Sequence, residues 1–158
     1  MDARRLRTAL GRFTTGITIV SCVDEAGAYV GLTVNSFNSV SLDPPLVLWS
    51  LRRESPNLGA FEAASRFSVN VLTESQIGLS RRFASAHAHR FAEGDWSLGA
   101  HGTPVLKDGA AVFECEFHAR QDAGDHRLYI GRVLAFHESA RAPLLYRSGH
   151  YHRLGDVI

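Results

Sequence analysis

Two stretches of this sequence hold residues whose types and spacing could do chemistry. The first is Gly31–Leu51, GLTVNSFNSVSLDPPLVLWSL, where Thr33, Asn35, Ser36, Asn38, Ser39 and Ser41 crowd small hydroxyl and amide groups ahead of an apolar run. It offers many hydrogen-bond donors and almost no charge, which suits a flat, polar-edged ligand carrying a phosphate. Ser, Asn and Asp-Pro are also ordinary turn residues, so a surface turn is the competing reading. The second is Gly124-Asp125-His126. Here Gly permits a tight turn, Asp can accept from backbone N–H groups, and His stands at the mouth of a hairpin; a plain β-turn competes.

Arginines form a third group. Arg81 and Arg82 precede Phe83-Ala84, and Arg90 precedes Phe91. Guanidinium groups near a hydroxyl-rich loop bind phosphate well, although a solvated helix face has the same composition. The pairs His87/His89 and His150/His152 have H-x-H spacing, but no carboxylate or third His follows at a recognisable interval. They read as exposed loop histidines, and no metal is expected. No G-x-G-x-x-G, P-loop or G-x-S-x-G motif occurs, so neither a doubly wound dinucleotide fold nor a nucleophile elbow is signalled.

The elements that must position these residues are mostly strands. Asp2 caps a short helix with Leu6, Ala9, Leu10 and Phe13 at helical spacing. Residues 17–23 and 28–34 form a hairpin across the Asp24–Gly27 turn. Gly31 signals a bulge or a close backbone approach. A polar loop follows, then a strand at 46–51, a helix from Ser55-Pro56 to Ala64, a strand at 67–72 and a helix at 76–83. Residues 85–104 read as a long irregular stretch, a pattern more often functional than linking. Strands at 111–120 and 127–138 pair across the Asp122–Asp125 turn, and Gly131 marks a bend as the sheet curls. Two short strands flank Ser148-Gly149. Such a pattern favours an antiparallel barrel with a few helices outside it.

Composition narrows the function further. The 158 residues fit one domain, 1–158, and can bury a real core. A net charge of +1 without a basic block argues against nucleic acid. No run is long enough for a transmembrane helix and no signal core begins the chain, so no membrane partner and a cytoplasmic location are expected. Cys22 and Cys115 lie in strand-like runs and read as small buried hydrophobes, without excluding a disulfide.

Taken together and in order, these pieces resemble the flavin reductase-like family, built on an FMN-binding split barrel. The resemblance rests on Gly11-Arg12-Phe13-Thr14-Thr15-Gly16, Thr33-Val34-Asn35-Ser36-Phe37, Ser39-Val40-Ser41-Leu42-Asp43-Pro44-Pro45-Leu46, Gly124-Asp125-His126, Ile130-Gly131-Arg132-Val133 and a late Tyr151. It spans nearly the whole chain. The serine-rich stretch ending in L-D-P-P and the later G-D-H are its specific parts.

The resemblance implies a mostly β fold, a six-stranded antiparallel split barrel of Greek-key type with a few short helices packed outside. It implies a homodimer that binds FMN or FAD and oxidises NADH or NADPH, passing reduced flavin to a separate monooxygenase component. Carried over by position, Thr33, Asn35 and Ser36 match the part lining the isoalloxazine and ribityl chain. Ser39, Val40 and Ser41 match the ring edge. Ser50, Leu51, Arg52 and Ser55 lie where the flavin phosphate is held, Phe83 and Ala84 match positions beside the flavin, and Arg90 is a further phosphate contact. His126 and Tyr151 resemble residues on the nicotinamide side, reached from another part of the barrel. Hydride transfer between stacked rings needs no side-chain nucleophile, which accounts for the lack of a dyad or triad. The alternative on the same fold is a non-catalytic FMN- or haem-binding protein.

Overall fold

The computed structural model describes residues 1–86 and 89–158, so His87 of the first H-x-H pair lies outside the described residues. In chain order the strands are β1 (Thr15–Gly16), β2 (Thr18–Val23), β3 (Tyr29–Val34), β4 (Asn38–Leu42), β5 (Pro45–Arg52), β6 (Arg66–Val71), β7 (Trp96–Leu98), β8 (Pro104–Leu106), β9 (Ala111–Ala123), β10 (His126–Glu138), β11 (Leu145–Arg147) and β12 (His150–His152). The helices are α1 (Ala3–Leu10), α2 (Leu58–Ala63) and α3 (Ile77–Phe83). None of them is long and apolar enough to cross a membrane.

Local chemistry explains the ends of several elements. Asp2 caps α1, its Oδ1 accepting from the Arg4 and Arg5 N–H groups at 2.9 and 3.2 Å. Asp24 closes the β2–β3 hairpin by accepting from Ala26 N–H at 2.9 Å and Ala28 N–H at 2.8 Å. Thr73 and Gln76 form a capping box ahead of α3.

The main sheet has seven antiparallel strands in the order β3-β2-β6-β9-β10-β5-β4. The first six make the expected split barrel, and β4 extends its edge as the return of the β4–β5 hairpin. Strand β3 comes back beside β5 without pairing to it, and this gap is the split. The β9–β10 register shifts at Ile130/Gly131 and again at Val133/Ala135, and the first shift falls at the expected glycine. A Cβ at Gly131 would overlap the Phe67 ring and come within 3.1 Å of Cys115 Cβ, so the strands close only around a glycine. Gly31 also serves a close approach, since a Cβ would meet Phe91 Cζ at 2.9 Å and Phe83 Cε1 at 3.1 Å. The β2–β3 register is unbroken there, so it is not a bulge.

Apolar packing covers both faces of the barrel wall. Inside, Trp49 stacks on Tyr129 at 4.7 Å and meets Phe61 edge-on at 4.9 Å, with Phe67, Val20 and Val69 around them. Outside, Ile17, Ile19, Leu72, Leu79, Phe83, Leu106 and Leu144 form a second cluster beneath α3. Burying each large side chain contributes about 1.5–3 kcal/mol. Cys22 and Cys115 are both free and buried, and desolvation pushes each thiol up to about 12.

Three local expectations change. The polar loop expected between the strands at 28–34 and 46–51 is not all loop, because Asn38–Leu42 pairs with β5; the segment is a short exposed edge whose Asn, Ser and Asp-Pro residues are also turn formers. Helix α2 begins at Leu58, not at Ser55-Pro56. Ser55 instead turns the chain, its carbonyl accepting from Leu58 N–H at 3.1 Å and its Oγ from Asn57 N–H at 3.3 Å.

The third change concerns residues 85–104. The described residues of this stretch hold β7, and the part from Gly99 on is pinned to the barrel by a polar network. Ser21 Oγ donates to the Pro104 carbonyl at 2.8 Å, and Asn70 Oδ1 accepts from Leu106 N–H at 2.8 Å. Glu114 accepts from Ala100 N–H, His101 N–H and the Thr103 hydroxyl at 3.0, 2.9 and 2.9 Å. These partners are distant in sequence, so the order of this stretch is a tertiary property.

Candidate ligand site in the split of the barrel

The gap between β3 and β5 opens into a cavity of about 470 Å³. Thr33, Val34, Asn35 and Ser36 supply one wall from the end of β3. Ser50, Leu51 and Arg52 supply the other from the end of β5, and Glu54, Ser55 and Pro56 continue it. His126 reaches the cavity because β10 pairs with β5 in a register that sets it opposite Arg52. Three chain segments far apart in sequence thus meet at one point.

Strand β4 pairs only with the first half of β5. The Ser50 backbone is therefore left for another partner, and Ser36 takes it: its hydroxyl accepts from Ser50 N–H at 3.0 Å and faces the Ser50 carbonyl as donor at 3.3 Å. Thr33 points its hydroxyl proton elsewhere, donating to the Ser80 carbonyl at 2.7 Å. Ser50, Ser55, Asn35 and Arg52 remain as groups able to donate toward a ligand.

The charged rim is mixed. Arg52 stands 4.0 Å from Glu54, with both side chains largely in solvent. His126 Nδ1 lies 2.7 Å from Asp125 Oδ1. The hydrogen bond from His126, then its charge, holds the Asp125 carboxyl below the usual carboxylate range. Arg53 N–H donates to the Asp125 carbonyl at 3.0 Å, tying the hairpin tip to the end of β5. Gly124 has φ +63°, in the left-handed region that favours glycine. The Gly124-Asp125-His126 tripeptide is thus both a turn and part of the cavity.

Of the residues singled out in the sequence, Thr33, Asn35, Ser36, Ser50, Leu51, Arg52, Ser55 and His126 come together here. Ser39, Val40 and Ser41 do not line the cavity; they sit on β4 where its register slips against β5, and Val40 is exposed. Phe83 is 1% exposed and packs edge-on against Phe91 at 4.8 Å, in the core beneath Gly31. Ala84 is the C-cap of α3. Arg90 spends its guanidinium on backbone carbonyls, Ser85 at 3.0 and 2.5 Å and Gly31 at 3.2 Å. Tyr151 lies outside the cavity but connects to its wall, since its hydroxyl is 2.8 Å from Ser80 Oγ and the Ser80 carbonyl holds Thr33. His126 therefore shares the cavity with the serine-rich segment, apart from Tyr151. Glu54 and Pro56 also line it and were not singled out; their position between Arg52 and the turn at Ser55 was the only signal.

His150 and His152 are exposed on β12, and no group of three potential metal ligands forms among the described residues.

The "Flavin reductase like domain" family profile matches residues 10–155. A "Probable flavin reductase" of Rhizobium meliloti (strain 1021) is 48% identical over 95% of this chain, which spans 48% of that relative's length. "FMN reductase (NADH) SmoA" of Agrobacterium fabrum is 43% identical, covering 96% of this chain and 86% of its own. The reductase subunit HsaB of a flavin-dependent monooxygenase from Rhodococcus jostii is 40% identical, covering 96% and 77%. Among solved structures, the Streptomyces globisporus NADH:FAD oxidoreductase SgcE6 in complex with NAD and FAD fragments superposes with a TM-score of 0.92 at 34% identity, covering 98% of this chain and 93% of that one.

Proposed function

The chain belongs to the flavin reductase-like family, and from that premise we propose that it is an NADH-dependent flavin reductase holding FMN or FAD in the split of the barrel. The observation that carries this reading is the cavity's donor set. Ser50, Ser55 and Asn35 line the same gap between strands as a single guanidinium, that of Arg52. Such a set fits a phosphate and a hydroxylated chain.

Each side chain has a task in this reading. Arg52 and the Ser50 and Ser55 hydroxyls hold the phosphate. Asn35 presents its amide to the ring edge. Ser36 fixes the width of the split, and Thr33, locked to Ser80, keeps the wall rigid. His126, oriented by Asp125, closes the cavity on the β10 side. Bound there, the flavin supplies a two-electron acceptor for the hydride of a reduced nicotinamide. The protein's contribution is alignment and exclusion of water, for which rigid walls matter more than acid–base groups.

A homodimer fits the exposed apolar side chains Leu10, Phe13, Val40 and Leu42. The kinship with monooxygenase reductase subunits supports transfer of reduced flavin to a separate monooxygenase, and a cytoplasmic location is part of the same reading. The test is direct: purified protein, NADH and FMN are mixed under air and absorbance is followed at the nicotinamide band. Consumption well above the protein-free control is expected, and its absence refutes the assignment. A yellow protein that keeps its flavin through gel filtration without turning over would instead establish the binding-protein alternative.

A further inference from the structure

The ligand cavity carries a charge that phosphate binding does not call for. Among its lining residues Arg52 is the one guanidinium and Glu54 the one carboxylate. Local structure puts the two together. Residues 52–55 form a tight turn at the end of β5, closed where Ser55 N–H donates to the Arg52 carbonyl at 2.9 Å. Glu54 stands inside that turn, and its carboxylate reaches back to 4.0 Å from the Arg52 guanidinium. Asp125 also feels the Arg52 charge, although His126 is its main partner.

Glu54 has no evident task in holding the fold. Its side chain is 89% exposed, and Arg52 is its only charged partner among the described residues. An exposed ion pair at this separation contributes little to stability. Its consequence falls on the site, because a carboxylate so placed offsets much of the field that the guanidinium presents to an approaching anion. A phosphate monoester, with a charge of about −1.5 to −2 at neutral pH, meets a cation that is already shared.

We propose that Glu54 is a specificity-determining residue that competes with the flavin phosphate for Arg52 and so weakens the hold on phosphorylated flavin. The inference rests on the flavin reductase reading for the identity of the ligand. It adds to that reading a residue that works against binding. Ser50 and Ser55 still orient the phosphate, while Glu54 keeps the flavin exchangeable with solution.

Fluorescence-quenching titrations with FMN and riboflavin, which differ only in the phosphate, read this across a charge series at position 54. Glu54→Gln should tighten FMN binding roughly threefold to fivefold at low ionic strength, the scale of removing one charge beside an exposed guanidinium. Glu54→Lys should tighten it roughly tenfold or more, and Glu54→Asp should behave as wild type. The FMN dissociation rate, from stopped-flow displacement, should fall in step, and high salt should shrink each gain. Riboflavin affinity and the thermal midpoint should stay constant throughout. Unchanged FMN affinity across the series overturns the proposal, as does an equal gain for riboflavin, which would set Glu54 beside the ring. Weaker FMN binding in Glu54→Gln also overturns it and makes the carboxylate a brace for Arg52. Wild-type protein that binds neither flavin refutes the flavin reading of the cavity, and the proposal with it.

Discussion

Ser36 and Ser50 are joined by one side chain acting as donor and acceptor at once, with the Ser36 hydroxyl 3.0 Å from Ser50 N and 3.3 Å from Ser50 O. This contact replaces a ladder rung where β3 passes β5 and β4 no longer pairs. It holds the split at a fixed width, and the candidate ligand cavity exists because the rung is a side chain and not a strand. Ser36→Ala should therefore loosen the flavin site. Each lost hydrogen bond contributes about 1 kcal/mol, so FMN affinity should fall about fivefold and thermal unfolding of flavin-free protein should come a few degrees earlier. Unchanged FMN titration would remove Ser36 from the site.

His126 shares a cavity with Asn35 and Ser50. His126→Ala should weaken FMN binding about threefold to tenfold, the loss of one polar contact, with NAD⁺ affinity almost unaffected. Parallel titrations of the two ligands check this. The opposite ordering would put His126 on the nicotinamide side, as the family resemblance implies.

Arg90 is occupied by the Ser85 and Gly31 carbonyls. Arg90→Gln should lower the thermal midpoint by releasing the loop that covers Phe83, and FMN affinity should not change. A large loss of FMN affinity at unchanged stability would show that Arg90 turns to a phosphate when ligand binds.

Glu62 receives hydrogen bonds from the Tyr129 hydroxyl at 2.6 Å and from Arg127 through Nε and a terminal nitrogen, each at 3.2 Å. Burial alone would raise its carboxyl, but these bonds and the nearby guanidinium groups outweigh burial and leave it below the ordinary value. A carboxyl lowered on folding stabilises fully above its unfolded pKa, about 4.3, and loses that stabilisation as pH falls through the folded value. Urea midpoints should therefore drop on acidification below about pH 4–5, and Glu62→Gln should flatten that drop. An unaltered acid limb would exclude the cluster as its source.

Much of the molecule was legible before folding because it is encoded locally. Asp2, Asp24 and Gly124 mark a cap and two turns through their own short-range bonding, and β-branched runs such as 18–23 declare strands. The order of motifs sufficed to indicate the family and most of the residues that meet in the split.

Tertiary structure decided the rest. Phe83 and Arg90 carry the composition of ligand contacts, yet burial against Phe91 and bonding to Gly31 make them framework, and Gly31 is 59 residues from Arg90 in the chain. Strand β4 was hidden because it is short and exposed, and its Asn, Ser and following Asp-Pro-Pro residues are those of a turn. The sequence alone determined which residues could bond and turn. The fold determined which remain free to meet a ligand, because a donor already satisfied by a distant carbonyl has nothing left to offer.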